Sequence, residues 1–511
     1  MITVQLNKAN FEYDIHSLVK AFYPQHDVLV KAAEREEFPK SLFHLTVIYR
    51  EKELFPELKR ESVFFSFCGS KTLEGETEVD FSDRKETKNR LKQKLYELLS
   101  EFSGQTLPWG TLTGIRPTKI PMAMLEEGKT DEEIRAYMRG TYFATEEKIE
   151  LSLAVAKREL ELLKKIDYEN GYSLYIGIPF CPSTCLYCSF TSYPLGKWAS
   201  RMDEYLDALE KEIDFTAEVC GEKHLNTIYI GGGTPTTLTP EQLDRLITKL
   251  ETAFDLHGKG KEHLLEFTVE AGRPDSITRE KLQVLREHGI SRISINPQTM
   301  KEDTLRLIGR QHTVEQTRES FLLARELGFD NINMDLIVVL PEECVEDVRN
   351  TMEALEELAP DNITVHSLAV KRAARLRMQK EDYAHLHMEN TWETIAVTAD
   401  YCHRMGLEPY YLYRQKNMAG NFENVGYAAP GKAGIYNILI MEEKQTIIAL
   451  GAGATTKFVM PGALGDCAEG YPTGGDRIER VENVKDVTNY LNRIDEMIER
   501  KRKRMEELQW L

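Results

Sequence analysis

The sequence predicts an α/β protein built on an incomplete (β/α)6 barrel, with an N-terminal α+β domain before it and a short helical C-terminal tail after it. Three observations carry this reading. From Tyr172 onward, short β-branched, aromatic or apolar runs alternate with amphipathic helical stretches. Six such units follow one another, and strands separated by helices run parallel, because a parallel neighbour is reached only by a long, right-handed crossover. The chain has 511 residues, 41% of them apolar, which is too long for one ordinary domain and enough for a sizeable core.

Residues 1–166 form the N-terminal domain on this reading, with apolar runs at 45–49 and 63–67 and helices over 84–102 and 145–166. Between the helices, 107–119 is rich in Gly, Pro and Thr. It reads as a turn-rich connector, or as a loop offering Arg116 and Lys119 to an anionic substrate. Residues 167–458 form the core, with strands expected at 172–178, 227–231, 265–270, 292–296, 332–340 and 363–368. Helices are expected at 201–219, 240–254, 278–288, 302–327, 345–358 and 383–405. Residues 459–511 are the tail, whose basic run 500–504 reads as a solvated helix end.

Composition excludes several classes. A net charge of −18 argues against a nucleic-acid protein, which needs a basic surface. The N-terminal Met-Ile-Thr-Val-Gln-Leu lacks a basic stretch and apolar core, so no secretory signal is expected. No run approaches the roughly 18 apolar residues of a membrane span. The sequence therefore predicts a cytoplasmic protein. Of eight cysteines, three crowd into 181–188, which points to metal or redox chemistry and not to a disulfide framework. Cys68, Cys220, Cys344, Cys402 and Cys467 are isolated and read as ordinary core or surface residues.

The cysteine segment is Tyr175-Ile-Gly-Ile-Pro-Phe-Cys181-Pro-Ser-Thr-Cys185-Leu-Tyr-Cys188, directly after the first barrel strand. Thiolates are the usual ligands of a four-iron cubane. Three from one short loop leave the fourth iron open to chelate an amino acid through its amine and carboxylate. A zinc site needs a fourth ligand at suitable spacing, and none lies nearby in sequence. Gly231-Gly-Gly-Thr234-Pro-Thr follows the second strand, where glycines let a ligand approach the backbone closely. Glu270, Gln298 and Asp335 stand at or near later strand ends, and Arg310 opens Arg-Gln-His-Thr313. In such barrels the loops at the carboxyl ends of the strands form the site. An adenosyl cofactor needs carboxylates for its ribose and polar groups for its methionine end, and this set supplies both.

These motifs, with Arg292-Ile-Ser-Ile-Asn-Pro-Gln298, Gly309-Arg-Gln-His312 and Leu450-Gly-Ala-Gly-Ala454, carry a resemblance. The chain resembles the radical S-adenosylmethionine superfamily and, within it, the oxygen-independent coproporphyrinogen III oxidase family, in the variant with an added N-terminal domain. The resemblance covers about 170–458. It implies a radical-SAM barrel, a [4Fe–4S] cluster on Cys181, Cys185 and Cys188, and two molecules of S-adenosylmethionine. Tyr175, Gly232 and Glu270 match the positions that hold the first. Tyr187, Gly233, Thr234, Gln298, Arg310, Asp335 and Ala369 match those that line the rest of the double site.

The implied reaction is oxidative decarboxylation of propionates to vinyls in haem biosynthesis, fed by a low-potential donor such as flavodoxin or ferredoxin. Lys371 and Arg372, with Arg116 and Lys119, are the cations left to meet the propionates of a tetrapyrrole substrate. Two other activities compete: a haem-binding trafficking protein of the same family, and a radical methyltransferase acting on porphyrin. The sequence also departs from the family, with Gly177 for a usual histidine, Asn296-Pro297 before Gln298, Glu342-Glu343 after Leu340-Pro341, and Tyr436-Asn437 for His-Asn.

Overall fold

A computed structural model describes the chain except residues 33–40, 53–54, 56–57, 59, 191, 369–373, 375–385, 387–390, 416–421, 461–476 and 511. The chain divides into two compact units. One holds Met1–Lys157, Asn390–Trp392 and Tyr413–Glu423, and the other Arg158–Glu389, Glu393–Leu412 and Asn424–Leu511.

The first unit is a five-stranded sheet of β1 (Ile2–Leu6), β2 (Val28–Ala32), β3 (His44–Arg50), β4 (Ser62–Cys68) and β5 (Thr72–Glu78), in the order β2-β1-β3-β4-β5. Alternation puts Leu45, Val47 and Tyr49 of β3 and Val63, Phe65 and Phe67 of β4 on one face, where they are fully buried. They share a core with Ile15 and Leu18 of α1 (Glu12–Phe22) and Leu91 and Leu95 of α2 (Arg84–Ser103). The 107–119 loop is pinned from within this unit. Arg414 Nη1 donates to Leu112 O at 2.7 Å, and Glu423 accepts from Trp109 Nε1 and Lys148 Nζ, each at 2.7 Å.

In the second unit all six expected strands form, and all are parallel: β6 (Gly171–Ile178), β7 (His224–Gly232), β8 (Glu266–Gly272), β9 (Arg292–Ile295), β10 (Ile332–Val338) and β11 (Asn362–Ser367). Their runs are almost wholly buried, as parallel strands covered on both faces are. Antiparallel to β11 lies Asn424–Ala428, followed by Glu408–Tyr413 at that edge. On the other side of β6 the structure adds a seventh parallel strand, β14 (Thr446–Leu450) if Glu408–Tyr413 and Asn424–Ala428 are β12 and β13.

Several boundaries differ from expectation, and three of them bear on the site or the tail. The helix expected over 302–327 is two, Glu302–Leu307 and Val314–Glu326. Gly309, at φ 79°, ends the first, and Thr313 caps the second by accepting from Gln316 N, so Arg310 stands in the break. Strand β10 stops at Val338 because Val339 turns to φ 64°. The tail begins with Thr455–Met460 and Arg477–Glu482, antiparallel strands on the sheet beyond β14, before its helices Val487–Asn492 and Ile494–Glu507.

One expectation is overturned: the basic run 500–504 is not a purely solvated helix end. Lys501 is fully buried and pairs with the equally buried Glu212 at 2.6 Å. A carboxylate inside the unit requires such a partner, and the tail helix brings it. Among the described residues, no helix is long and apolar enough to cross a membrane.

Candidate active site

Strand β6 carries Tyr175 and delivers the chain to the cysteines. Cys185 is buried, and Cys181 and Cys188 are half-buried. The 181–188 loop is tied from several sides. Leu186 N donates to Ile308 O and Ser183 Oγ to Gly309 O, both at 2.9 Å. Arg273, just past β8, donates from Nη1 to Ser183 O at 2.9 Å and to Ser183 Oγ at 2.8 Å. Asp275 holds Arg273 in turn at 2.7 Å. Thr234 Oγ1 lies 3.6 Å from Cys181 Sγ. Burial, and then the neighbouring cysteines, push the Cys181 thiol up to about 11, although Thr234 opposes this. A bound cation reverses that preference, because it stabilises thiolate directly. Among the described residues no three Cys, His, Asp or Glu side chains gather around one point for a single metal ion. A cubane asks less, since each thiolate ligates its own iron at a separate corner.

The glycine turn lies against this loop. Gly233 N donates to Ile178 O at 2.8 Å and Thr234 N to Phe180 O at 2.7 Å. A Cβ on Gly233 would stand 2.5 Å from Phe180 O, so only glycine fits there. Gly232, exposed and at φ 109°, would place a Cβ 3.3 Å from the Tyr175 hydroxyl. Tyr175, Gly232 and the cysteine loop therefore meet at the carboxyl end of β6 and β7.

Beside them is a polar group that includes two carboxylates. Glu270 accepts from Asn296 Nδ2 at 3.0 Å and from the Tyr229 hydroxyl. Asp335 accepts from Asn333 Nδ2 at 2.8 Å and faces His366 Nε2 at 3.8 Å. Burial, reinforced by the Asp335 charge, raises the Glu270 carboxyl. Burial acts on Asp335 as well, but His366 and Asn333 outweigh it and the net shift is downward. Gln298, at φ 69°, ties its N–H to Asp335 O at 3.0 Å and leaves its buried Oε1 without a partner among the described residues. Arg310, in the helix break, donates from Nη1 to Asn296 O at 2.6 Å and reaches the Tyr187 hydroxyl at 3.5 Å. Its charge also acts on Cys185.

The structure thus gathers Cys181, Cys185, Cys188, Tyr175, Tyr187, Gly232, Gly233, Thr234, Glu270, Gln298, Arg310 and Asp335 through strand ends and loops of one unit. Ala369, Lys371 and Arg372 lie outside the described residues. Arg116 and Lys119 belong to the other unit, where Arg116 is half-buried and Lys119 opens the helix Lys119–Glu126. Sequence reasoning missed Arg273, Ser183 and Tyr229 as site residues, and noted Asn296 only as a departure. Tyr229 stacks on Tyr436 at 4.5 Å, with Tyr175 at 6.3 Å from Tyr229. Tyr175 and Tyr229 lie inside β-runs, where a tyrosine looks like an ordinary strand former, and Tyr436 lies on the helix Ile435–Glu442.

The donor set fits the implied cofactors. Three thiols on one tethered loop suit a cubane with an open iron. The uncovered Gly232, the unpartnered Gln298 Oε1 and the paired carboxylates suit a polar adenosyl ligand beside it.

A model of the Radical SAM superfamily matches residues 175–355. The oxygen-independent coproporphyrinogen-III oxidase-like protein HemZ of Bacillus subtilis (strain 168) is 43% identical over 378 residues, 73% of this chain and 75% of that protein. The heme chaperone HemW of the same organism is 40% identical over 199 residues, 39% of this chain and 51% of that protein. Among solved structures, coproporphyrinogen III oxidase (HemN) from Escherichia coli is 22% identical, covers 66% of this chain and 73% of its own, and has a TM-score of 0.49. The chain belongs to the radical SAM superfamily and, within it, to the oxygen-independent coproporphyrinogen III oxidase family. That membership implies a [4Fe–4S] cluster and S-adenosylmethionine.

Proposed function

We propose that the protein oxidatively decarboxylates propionate side chains of coproporphyrinogen III to vinyl groups. One observation carries this reading. The similarity to the oxidase-like HemZ runs through 378 residues at 43% identity, whereas that to the heme chaperones HemW runs through 199 residues in the Bacillus subtilis protein and 292, at 32% identity, in the Lactococcus lactis one.

On this reading Cys181, Cys185 and Cys188 ligate the cluster. Tyr175, Gly232 and Glu270 hold S-adenosylmethionine beside it, and Tyr187, Gly233, Thr234, Gln298, Arg310, Asp335 and Ala369 line the remainder of the site. When bound, cluster and cofactor together would supply a one-electron reductive cleavage that removes a hydrogen atom from the propionate, and the electron left when carbon dioxide departs would pass to an electron acceptor. The chain's own contribution is placement. Arg273 and Ser183 fix the cysteine loop, Asn296 orients Glu270, and Arg310 adds positive charge beside Cys185. Lys371 and Arg372 are the cations assigned to the propionates. A low-potential donor such as flavodoxin or ferredoxin delivers the electron, and the cytoplasm is the expected compartment.

Anaerobic incubation of the reconstituted protein with reductant, S-adenosylmethionine and coproporphyrinogen III tests this. Vinyl product with carbon dioxide and 5′-deoxyadenosine supports the proposal. Haem binding without turnover replaces it with a trafficking role, and S-adenosylhomocysteine with a methylated porphyrin replaces it with methyl transfer.

A further inference from the structure

We infer that Glu212 and Lys501 are positioning residues for S-adenosylmethionine, because together they lock the 450–454 loop onto the strand that carries Tyr175. The inference deepens the cofactor half of the reading above and is independent of the substrate.

Glu212, on the helix Met202–Val219, is fully buried, and four donors converge on its carboxylate. Lys501 Nζ reaches Oε1 at 2.6 Å and Asn483 Nδ2 reaches it at 2.9 Å. The Tyr490 hydroxyl reaches Oε2 at 2.6 Å and Gly451 N at 2.8 Å. Asn483 Nδ2 also donates to Gly451 O at 2.9 Å, so the Gly451 residue is gripped at both its N–H and its carbonyl. Lys501 adds a bond to Ala449 O at 2.7 Å.

What this grip holds is the cofactor end of the sheet. Strand β14 runs parallel to β6, so the loop leaving its carboxyl end emerges where the cysteines do. Gly451, at φ 101°, lies so close that a Cβ on it would stand 2.5 Å from Gly177 O. Tyr205 ties the two together, donating its hydroxyl to Gly177 O at 2.6 Å and accepting from Ala452 N at 3.1 Å. Gly177 follows Tyr175 by two residues and precedes Cys181 by four. Loosening the carboxylate therefore frees the loop and the strand end at the cofactor's edge. Three of the four donors come from the tail or its approach, which gives this short segment a task at the site.

The test uses the full-length protein, anaerobically reconstituted and reduced, with S-adenosylmethionine titrated against the electron paramagnetic resonance signal of the reduced cluster. Lys501→Met should weaken binding about tenfold with iron and sulfide content unchanged, the effect of one lost charge-assisted hydrogen bond. Lys501→Arg should restore most of the affinity. A folded Lys501→Met protein with an intact cluster and wild-type affinity overturns the inference. If that variant does not fold, the charge-neutral pair Glu212→Gln/Lys501→Met and the single Asn483→Ala decide it by the same two outcomes. No tetrapyrrole enters the titration. A protein that binds S-adenosylmethionine as inferred yet never consumes coproporphyrinogen III overturns the decarboxylase reading alone.

Discussion

Asn296 Nδ2 donates to Glu270 Oε2 at 3.0 Å, while its Oδ1 accepts the backbone N–H of Asp335 at 3.2 Å. One amide thus spans two neighbouring carboxylate positions and fixes the orientation of the more weakly acidic one. Asn296→Ala should weaken S-adenosylmethionine binding about five- to tenfold, since each such bond contributes about 0.5–1.5 kcal/mol. Calorimetric titration under anaerobic conditions measures this. Unchanged affinity would mean that Glu270 keeps its orientation without Asn296.

Cys185 is the buried member of the three thiols and sits next to Leu186, which is bonded to the Ile308 carbonyl. Cys185→Ala should abolish the cluster, because two thiolates leave the cubane under-ligated. Reconstituted wild type should bind about four irons and four sulfides, and the variant far fewer. A full complement in the variant would remove the basis of the site assignment.

Glu343 offers a pH test. Burial pushes its carboxyl up to about 7, although Thr299 Oγ1 donates to it at 2.5 Å and Thr304 also opposes the shift. A folded-state value above the unfolded one means that the folded protein favours the protonated form. That contribution is complete below about pH 4.5 and is lost as pH rises through 7. Glu343→Gln should therefore gain stability relative to wild type between pH 5 and pH 8, by about 1–3 kcal/mol. Denaturant unfolding at the two pH values measures it, and an equal or reversed difference contradicts the assignment.

Replacing Lys371 and Arg372 with alanine should raise the KM for coproporphyrinogen III. It should leave 5′-deoxyadenosine release in the substrate-free reaction unchanged, because charges that meet propionates act on the substrate and not on the cofactor. A fall in both rates would place these residues at the cofactor.

What the sequence revealed follows from how locally each feature is encoded. The six parallel strands were legible because burial on both faces writes each as an apolar run, and the grouping of Cys181, Cys185 and Cys188 because all three stand on one short loop. The added strand Thr446–Leu450 reads the same way but pairs with Tyr172 to Ile176 across the whole core, a partnership no local pattern records. Arg310 was expected at a helix-rich position, and the break that exposes it depends on Gly309 and the Thr313 cap. Lys501 was hidden among Arg500, Arg502, Lys503 and Arg504, since nothing nearby announces that its partner is Glu212. Asn296 and Tyr229 acquire meaning only from Glu270, which lies on another strand.

The pairing of Thr446–Leu450 with Gly171–Ile178 has a consequence for biogenesis. One edge of the strand that leads to the cysteines stays without its partner until about 270 further residues have been made. At ribosomal rates of about 5–20 residues per second, that is roughly 14–55 s. Lys501, which grips the loop leaving that strand, emerges later still. During this interval the three thiols are presented by an unfinished sheet, and iron delivered then meets a loop whose surroundings are incomplete.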